Sequence, residues 1–328
     1  MFYDLGVRYD GEETAKTAAA LRVKFGWDTA AVDLAVGGRV DRPLGKEMVV
    51  PDVSRETRGL ATAALRLEMG TEGRRAFHVL RRVTVDLSDQ GQVHGLNPNN
   101  PHLCAFDLVA VRPTTEKLFA QACGSLEVDI IVVDTLQRLP WMLRHGIVQQ
   151  AIARGVMFEL AYGPGLSDSK ARKAFFANGM ALVRATKGRN IILSAGSSRA
   201  LDTRGPYDVA NLGEVLGMNS QQARAAIDGN CRAALLHSAA RRAYRGTLTM
   251  QPREAMSEKD AWMLQGDELK GRKQADEARR IVAAVEADKG KDKMDDEAEQ
   301  DAKAAAPSVV KRPLSGASKK KNKKPRKG

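Results

Sequence analysis

Short apolar runs alternate with segments of helical spacing along most of this chain, and that alternation restricts the fold more than any other feature. Runs such as LVAV, IIVV and NIIL are almost continuously apolar, which is typical of parallel strands covered on both faces. The predicted strands comprise residues 2–7, 30–36, 78–86, 107–112, 129–134, 156–161 and 190–195. The predicted helices between them include residues 116–123, 141–153 and 170–186.

Repeated strand–helix units predict a parallel sheet with right-handed crossovers. Seven or eight such units within residues 1–246 fit an α/β fold with a closed TIM-like (β/α) barrel better than one with an open sheet. An open, doubly wound sheet is the alternative, because strands are hard to count from one sequence.

Two stretches interrupt the alternation. Residues 37–73 are predicted to form an insertion with a loop and one helix, and residues 88–103 an exposed loop.

Residues 247–328 lose the hydrophobic periodicity and are predicted to form a separate, largely disordered charged tail. Residues 286–301 are mainly acidic, whereas residues 311–328 carry nine basic residues and no acidic one. The basic terminus fits a nuclear or nucleolar address or a nonspecific RNA-binding arm. A solvated tail that only improves solubility is the alternative.

The charge balance and the cysteines exclude several classes of protein. The chain has 52 Lys and Arg against 40 Asp and Glu, and its net charge of +12 favours an anionic partner such as nucleic acid. No run approaches the length of a membrane span and no secretory signal opens the chain, so an intracellular protein is predicted. The three cysteines form no CxxC pair, which argues against a zinc ribbon or a disulfide framework and predicts reduced thiols in the core.

Functional side chains of such a barrel collect at the C-terminal ends of the strands. Here those ends offer scattered acids and arginines, namely Asp4, Arg8, Asp33, Asp86, Arg112, Lys117, Asp134, Arg138, Glu159, Tyr162 and residues 194–199. The five histidines form no HxH or HxxxH pair, which disfavours a zinc, manganese or iron site, although carboxylates alone can hold magnesium. No nucleophile or phosphate-loop motif is present, and AYGPGLSDS is predicted to be an ordinary strand–helix loop with Ser167 as N-cap.

Residues 206–245 contain short helical patterns joined by Gly-containing turns, which superficially match a helix-turn-helix. Small apolar residues line these helices, so they are predicted to pack onto the barrel rather than to read DNA. The arginines of the last helix are predicted to form a basic rim: Arg232, Arg241, Arg242 and Arg245.

Ordered segments from the first strand to the last helix carry a resemblance to a known family. They are MFYDLGV, FDLVAVRPTTEKLF, VDIIVVD, GVMFELAYGPGL, KGRNIILSAG, RGPYDVANLG and NCRAALLH. With them the chain resembles the TIM-barrel protein subunit shared by eukaryotic ribonuclease P and ribonuclease MRP, which also has archaeal members. The most specific parts are residues 204–213 and 230–237, whereas residues 37–73 and the tail match poorly or not at all.

The resemblance implies a subunit that does not itself cut RNA. In this family the catalytic RNA removes the 5′ leader of precursor tRNA with bound magnesium ions, and the chain itself holds no cofactor. The implied partners are ribonuclease P RNA and MRP RNA, precursor tRNA, other ribonuclease P and MRP proteins, and a small subunit of RRM-like fold. That small subunit pairs with the barrel as a heterodimer or a dimer of heterodimers. Ribosomal RNA processing and a nuclear or nucleolar location are implied as well.

The resemblance also relates the barrel to the polymerase and histidinol phosphatase class of metal phosphoesterases. The HxH ligands of that class are missing at the first strand, where Tyr3, Asp4 and Leu5 stand. Two alternative functions are kept. One is a stand-alone metal-dependent phosphoesterase that uses Asp4 and Asp134, and the other is a helix-turn-helix DNA-binding protein acting through residues 219–245.

Four basic residues near strand ends are the candidate RNA contacts, because Lys and Arg neutralise phosphates and Arg can do so with two hydrogen bonds. They are Arg112, Lys117, Arg199 and Arg204. The alternative for each is an internal ion pair with Asp202, Asp208 or Glu116. Four residues of the family motifs are predicted to be structural: Asp208, Asn211, Asn230 and Arg232.

Overall fold

The computed structural model of the chain describes residues 1–38, 40, 77–97 and 100–243. Most of the predicted insertion at residues 37–73 and the whole predicted tail at residues 247–328 lie outside the described residues. Among the described residues, no helix is long and apolar enough to cross a membrane.

All seven predicted strands are present, and each pairs in parallel with the next. They are β1 (Tyr3–Arg8), β2 (Thr29–Gly37), β3 (His78–Leu87), β4 (Leu108–Pro113), β5 (Ile130–Val133), β6 (Met157–Ala161) and β7 (Ile191–Ser194). Their bounds lie within one residue of the predicted ones, because apolar β-branched runs specify buried parallel strands locally. The sheet order from β1 to β7 follows the sequence order, as in a TIM-like barrel.

Helices connect and cover the strands. They are α1 (Glu12–Ala20), α2 (Pro101–Cys104), α3 (Glu116–Gly124), α4 (His145–Ala153), α5 (Gly163–Ser167), α6 (Ser169–Thr186), α7 (Pro206–Val215), α8 (Ser220–Ala225) and α9 (Gly229–Ala243). A π-helical turn, Leu21–Phe25, extends α1, and a 3-10 helix, Gln90–Gly95, precedes α2. The prediction of a plain loop at residues 88–103 was therefore wrong, because Asn100 caps α2 with its side chain.

Two other local predictions need correction. Asp168, not Ser167, caps α6, because the Asp168 carboxylate accepts the Ala171 N–H at 3.0 Å. The predicted helix at residues 141–153 begins only at His145, because the preceding residues form an ordered loop against α6. Of the three cysteines, Cys123 and Cys231 are buried thiols as predicted, whereas Cys104 is exposed at the end of α2.

The barrel is nearly closed by contacts between β1 and β7. Near their C-terminal ends, the Gly196 N–H donates to the Gly6 carbonyl at 2.8 Å, and the Arg8 N–H donates to the Ser197 carbonyl at 3.2 Å. Towards their N-terminal ends, residues 226–227 take the place of a strand. Their carbonyls accept the N–H groups of Leu193 and Tyr3 at 3.3 and 3.0 Å.

Helix α9 covers the N-terminal end of the barrel. Its buried Cys231, Ala234 and Leu235 join the apolar interior side chains of the strands in one cluster. The prediction that the late helices pack onto the barrel is confirmed. The apolar face of α9 packs against the barrel and is therefore not available to enter a DNA groove.

The prediction that Arg241 belongs to a basic rim was wrong. Its side chain is only 6% exposed, and its guanidinium donates to the carboxylate of the fully buried Asp129, with the Nη2–Oδ2 distance at 2.9 Å. His237 Nδ1 lies 2.9 Å from the other oxygen of Asp129, and the Val109 N–H donates to the same carboxylate. Asp129 therefore ties α9 to the start of β5.

Candidate functional site

A buried polar network fills the barrel just inside the C-terminal ends of the strands, which we call the barrel mouth. Its centre is Arg82 on β3, whose side chain is 1% exposed. Both guanidinium Nη atoms donate to the carboxylate of Glu159 on β6, across the barrel. Arg82 Nη1 also donates to the Leu5 carbonyl at 2.6 Å, and Nε lies 3.3 Å from Asp33 Oδ1 on the neighbouring strand β2. The network therefore links β1, β2, β3 and β6.

The alternation of side chains along strands explains this placement. In β3, Arg82 shares its face with Leu80 and Thr84, and that face points into the barrel. Thr84 donates a hydrogen bond of 2.5 Å to Asp33 and accepts one from Arg82. Sequence reasoning missed Arg82 because it searched strand ends, whereas this residue lies within a strand. An arginine inside the apolar run HVLRRVTVD was the available signal.

Asp4 completes the network from β1. Its carboxylate is fully buried and accepts the N–H groups of Gly6 and Ala195 at 3.1 and 3.2 Å. Burial raises the pKa of the Asp4 carboxyl from 3.8 to about 6, and the two backbone hydrogen bonds oppose that shift. Burial also raises the pKa of Asp33, with Arg82 opposing. The nearby charge of Glu159 further raises the pKa of Asp4 and of Asp33.

Little open space remains at the mouth. A Cβ atom on Gly6 would lie 2.6 Å from Ser194 Oγ and 2.7 Å from Glu159 Oε1, so only glycine fits there. The cavity lined by the network has a volume of about 50 Å³, and a second cavity of about 270 Å³ shares Arg112 and Asp134 with it. Ligand pockets usually measure about 300–1,000 Å³, whereas one water takes about 30 Å³. The cavity among Gly6, Arg82 and Glu159 can therefore hold a water molecule but not a nucleotide.

The mouth does not suit the divalent metal of a phosphoesterase. Among the described residues, no group of three or more His, Cys, Asp and Glu side chains is placed to hold a metal ion. The oxygens of Asp33 and Glu159, which would be the natural ligands, are instead engaged by the positively charged Arg82. A divalent cation would have to displace that guanidinium against charge repulsion.

The four candidate RNA contacts occupy different settings. Arg112 is half-buried, and its Nη1 lies 3.1 Å from Asp86, its register partner on β3. Arg204 is exposed, but its Nη1 donates to the carbonyls of Leu201 and Thr203. Lys117 on α3 and Arg199 in the loop after β7 are exposed and form no ion pair within the described part of the chain. None of the four pairs with Asp202, Asp208 or Glu116.

The four motif residues predicted to be structural lie on α7 and α9. Asn230 is half-buried and donates its Nδ2–H to the Ile191 carbonyl at 2.7 Å, which joins α9 to β7. Arg232 is half-buried on α9, near Tyr3. Asp208 and Asn211 are exposed on α7. Asn219 is the N-cap of α8, because its side chain accepts the Gln222 N–H at 2.8 Å.

The raised pKa of Asp4 predicts how acidity changes stability. The folded state holds the Asp4 proton more tightly than the unfolded state, so this group's contribution is complete below pH of about 4 and is lost as pH rises to about 6. In wild type the unfolding free energy should therefore fall between pH of about 4 and about 6. In Asp4→Asn that fall should be smaller by up to about 3 kcal/mol. Urea unfolding at several pH values measures this difference. Glu214→Gln, an exposed carboxyl on α7, is the control, and equal pH profiles for Asp4→Asn and wild type would refute the assignment.

Comparison with known proteins points to one family. A family model described as RNase P subunit p30 matches residues 1–243, which include every described strand and helix. Ribonuclease P protein subunit p30 of Mus musculus is 38% identical over 186 residues, which cover 57% of this chain and 69% of that protein. Ribonuclease P protein subunit drpp30 of Dictyostelium discoideum is 29% identical over 272 residues, covering 82% and 72%.

The Saccharomyces cerevisiae relative is named ribonuclease P/MRP protein subunit RPP1, and it is 29% identical over 149 residues, covering 45% of this chain and 50% of that protein. Among solved structures, a chain of an archaeal ribonuclease P determined with mature tRNA matches with a TM-score of 0.53. That match covers 78% of this chain and 99% of the archaeal one at 15% identity, so it concerns the fold.

Proposed function

Because the chain belongs to the RNase P subunit p30 family, we propose that it is a non-catalytic protein subunit of the ribonuclease P ribonucleoprotein. The observation that carries this proposal is the family match over residues 1–243, which spans the whole described barrel. Its task would be to bind and brace the catalytic RNA that removes the 5′ leader of precursor tRNA. We extend the proposal to ribonuclease MRP and ribosomal RNA processing, with a nuclear and nucleolar location.

The filled barrel mouth supports the non-catalytic part of the proposal. A cavity of about 50 Å³ admits no phosphodiester substrate, and Arg82 engages the carboxylates of Asp33 and Glu159. Hydrolysis would accordingly depend on magnesium ions bound by the catalytic RNA, and this chain would need no cofactor of its own. The purified chain alone should then fail to hydrolyse a generic phosphodiester in the presence of manganese or zinc. Hydrolysis by the wild-type chain that is lost in the Asp4→Ala variant would instead favour a phosphoesterase.

RNA binding would rely on exposed cations. Lys117 and Arg199 are the stronger phosphate candidates, because no acidic side chain among the described residues neutralises them. Arg112 forms an ion pair with Asp86, and Arg204 donates hydrogen bonds to backbone carbonyls, so both are less available to phosphates. The protein partners would be a small RRM-like subunit, in a heterodimer or a dimer of heterodimers, together with other ribonuclease P and MRP proteins.

The deciding experiment is purification of the tagged full chain from its own cells, followed by sequencing of the associated RNA. Recovery of ribonuclease P RNA, with or without MRP RNA, would support the proposal. Recovery of neither RNA would refute it. A parallel purification from untagged cells gives the background RNA.

Salt dependence tests the phosphate contacts. Each lost contact should reduce the slope of log affinity against log salt concentration by about 0.7 for single-stranded RNA and about 0.9 for duplex. We expect Lys117→Ala with Arg199→Ala to reduce the slope by about twice that amount, measured with transcribed ribonuclease P RNA. Arg224→Ala, which removes an exposed arginine of α8, is the control. An unchanged slope in the double variant would remove both residues from the RNA interface.

A further inference from the structure

Large apolar side chains are exposed in the loop between β5 and α4, residues 135–144, which we call the strap. Met142 is 84% exposed and Leu136 is 52% exposed. Met180, on the neighbouring helix α6, is 39% exposed. Single exposed apolar residues are ordinary, so the strap matters only where its exposed residues line a groove, as Met142 does.

The strap is held rigidly in this exposed arrangement. Asn178 on α6 is 3% exposed and makes three hydrogen bonds to the strap and the residue before it. Its Nδ2 donates to the carbonyls of Asp134 and Gln137 at 2.7 and 2.8 Å, and its Oδ1 accepts the Leu139 N–H at 3.1 Å. Where the strap ends, His145 Nδ1 lies 2.7 Å from the Ala185 carbonyl. The loop therefore presents its apolar side chains on a fixed backbone, which lowers the entropic cost of binding.

A groove of about 770 Å³ lies between the strap and α6. The strap side supplies Leu139, Trp141, Met142 and Leu143. The α6 side supplies Ala177, Ala181 and Ala185, which stand one helical turn apart and leave room for close approach. The volume is more than ten times that of the cavity at the barrel mouth, so this groove and not the mouth can accommodate part of another macromolecule.

The charges around the groove have one sign. Arg138 and Arg184 line it together with His145, and among the residues that the structure describes no acidic side chain does. Arg144, next to the groove, is paired with Glu116 at 3.4 Å and adds little. A binding partner with acidic groups at its edges would therefore complement the charge of this surface.

An apolar floor with a sparse basic edge fits a protein segment better than RNA. Phosphate backbones are bound by closely spaced cations and bases by exposed stacking surfaces. Here the floor is aliphatic, and Trp141 is half-buried. An amphipathic helix that lays apolar residues into a groove has the matching surface.

We propose that the groove between the strap and α6 binds an acidic amphipathic helix of a protein partner in the ribonucleoprotein. This inference rests on the proposed function, since it places the partner within the same particle. Met142 and Leu139, which line the groove, would contact the apolar stripe of that helix. Arg138 and Arg184 would face its carboxylates.

Photocrosslinking tests the identity of the occupant. Benzoylphenylalanine replaces Met142 in the tagged full chain, which is expressed in its own cells, irradiated and purified, and the crosslinked peptides are identified by mass spectrometry. We expect one protein to dominate, crosslinked within a segment rich in Asp and Glu with apolar residues three or four positions apart. The same replacement at Val215, which is 60% exposed on α7, is the control and should not crosslink that segment.

Substitutions test whether the contact holds the partner. Met142→Asp should reduce recovery of that partner at least about tenfold, because it buries a charge against an acidic, apolar surface. Arg138→Glu with Arg184→Glu should do the same through repulsion, whereas Val215→Asp should leave recovery unchanged. Both Met142 and Val215 are exposed, so neither change should alter the midpoint of thermal unfolding.

Several outcomes would overturn the inference. One is a crosslink from position 142 to RNA, to a second copy of this chain or to a segment without acidic residues. Another is the absence of any crosslinked macromolecule. A third is recovery of the partner by the Met142→Asp variant at the wild-type level. Ribonuclease P RNA in the same purifications reports on the proposed function separately. RNA without the crosslink refutes only the groove, whereas the crosslink without RNA refutes only the proposed function.

Discussion

Arg82→Met should lower the free energy of unfolding by about 3–5 kcal/mol, because it removes one partner of a buried ion pair. Glu159 and Asp33 would keep their buried carboxylates without the guanidinium that compensates them. The Leu5 carbonyl would lose a donor as well. Methionine is chosen because it retains most of the arginine stem and so limits the cavity term.

Urea unfolding followed by circular dichroism measures the loss, with Arg112→Met as the matched control. Arg112 is half-buried and paired with Asp86 near the surface, so its replacement should cost at most about 1 kcal/mol. Arg82→Met with Glu159→Leu should recover part of the lost stability, because an apolar replacement of both partners leaves no unpaired charge at that position. A loss for Arg82→Met no greater than that of Arg112→Met would contradict the network described at the mouth.

Asp129→Ala should be comparably damaging at the opposite end of the barrel. The carboxylate is fully buried and accepts hydrogen bonds from Arg241, His237 and the Val109 N–H. Its removal leaves the buried Arg241 guanidinium unpaired and one backbone donor unsatisfied, which together cost about 3–5 kcal/mol. Because Asp129 is the anchor of α9, the helix should also detach at lower denaturant concentration than the barrel unfolds.

Glu127→Ala is the matched control for this variant. Glu127 lies two positions earlier and is exposed, so its loss should change stability by at most about 0.5 kcal/mol. Hydrogen exchange in the native state should report faster exchange in α9 of Asp129→Ala than in wild type. Exchange rates in α9 equal to those of wild type would show that the apolar contacts of Cys231, Ala234 and Leu235 hold the helix without the ion pair.

Both predictions concern residues that sequence analysis overlooked or misplaced. Sequence analysis did not identify Arg82, because its partner Glu159 lies 77 positions away in the sequence. No residue near Arg82 in the sequence indicates that the two form an ion pair. Arg241 was assigned to a basic rim because its helix carries several arginines, whereas its partner Asp129 is 112 positions away. Ion pairs between distant positions follow from the closure of the barrel, which sequence periodicity does not encode.

The candidate RNA contacts illustrate the same limit. The sequence placed Arg112, Lys117, Arg199 and Arg204 near strand ends, and it left open whether each faces solvent or an internal acid. The structure pairs Arg112 with Asp86, an acid that was not among the expected partners. That pairing arises from the register of β3 against β4, which only the assembled sheet defines.

The strap shows a tertiary effect on local structure. Helical spacing predicted a helix from residue 141, yet α4 starts at His145. Three hydrogen bonds from Asn178 on a different helix hold the preceding backbone in an irregular loop, and these outweigh a weak local preference. The groove that we propose as a binding surface exists because these hydrogen bonds hold residues 135–144 as a loop rather than a helix.

By itself, the sequence determined the strands and their order, because apolar β-branched runs and the helical patterns between them are local properties with a strong physical signature. It also carried the family motifs in NCRAALLH and RGPYDVANLG. Only the tertiary structure decided that Arg82 and Asp4 fill the mouth, that Arg241 anchors α9 and that the strap stays exposed. These features depend on which residues meet across the closed barrel, and the free energy of such contacts exists only once burial removes the partners from water.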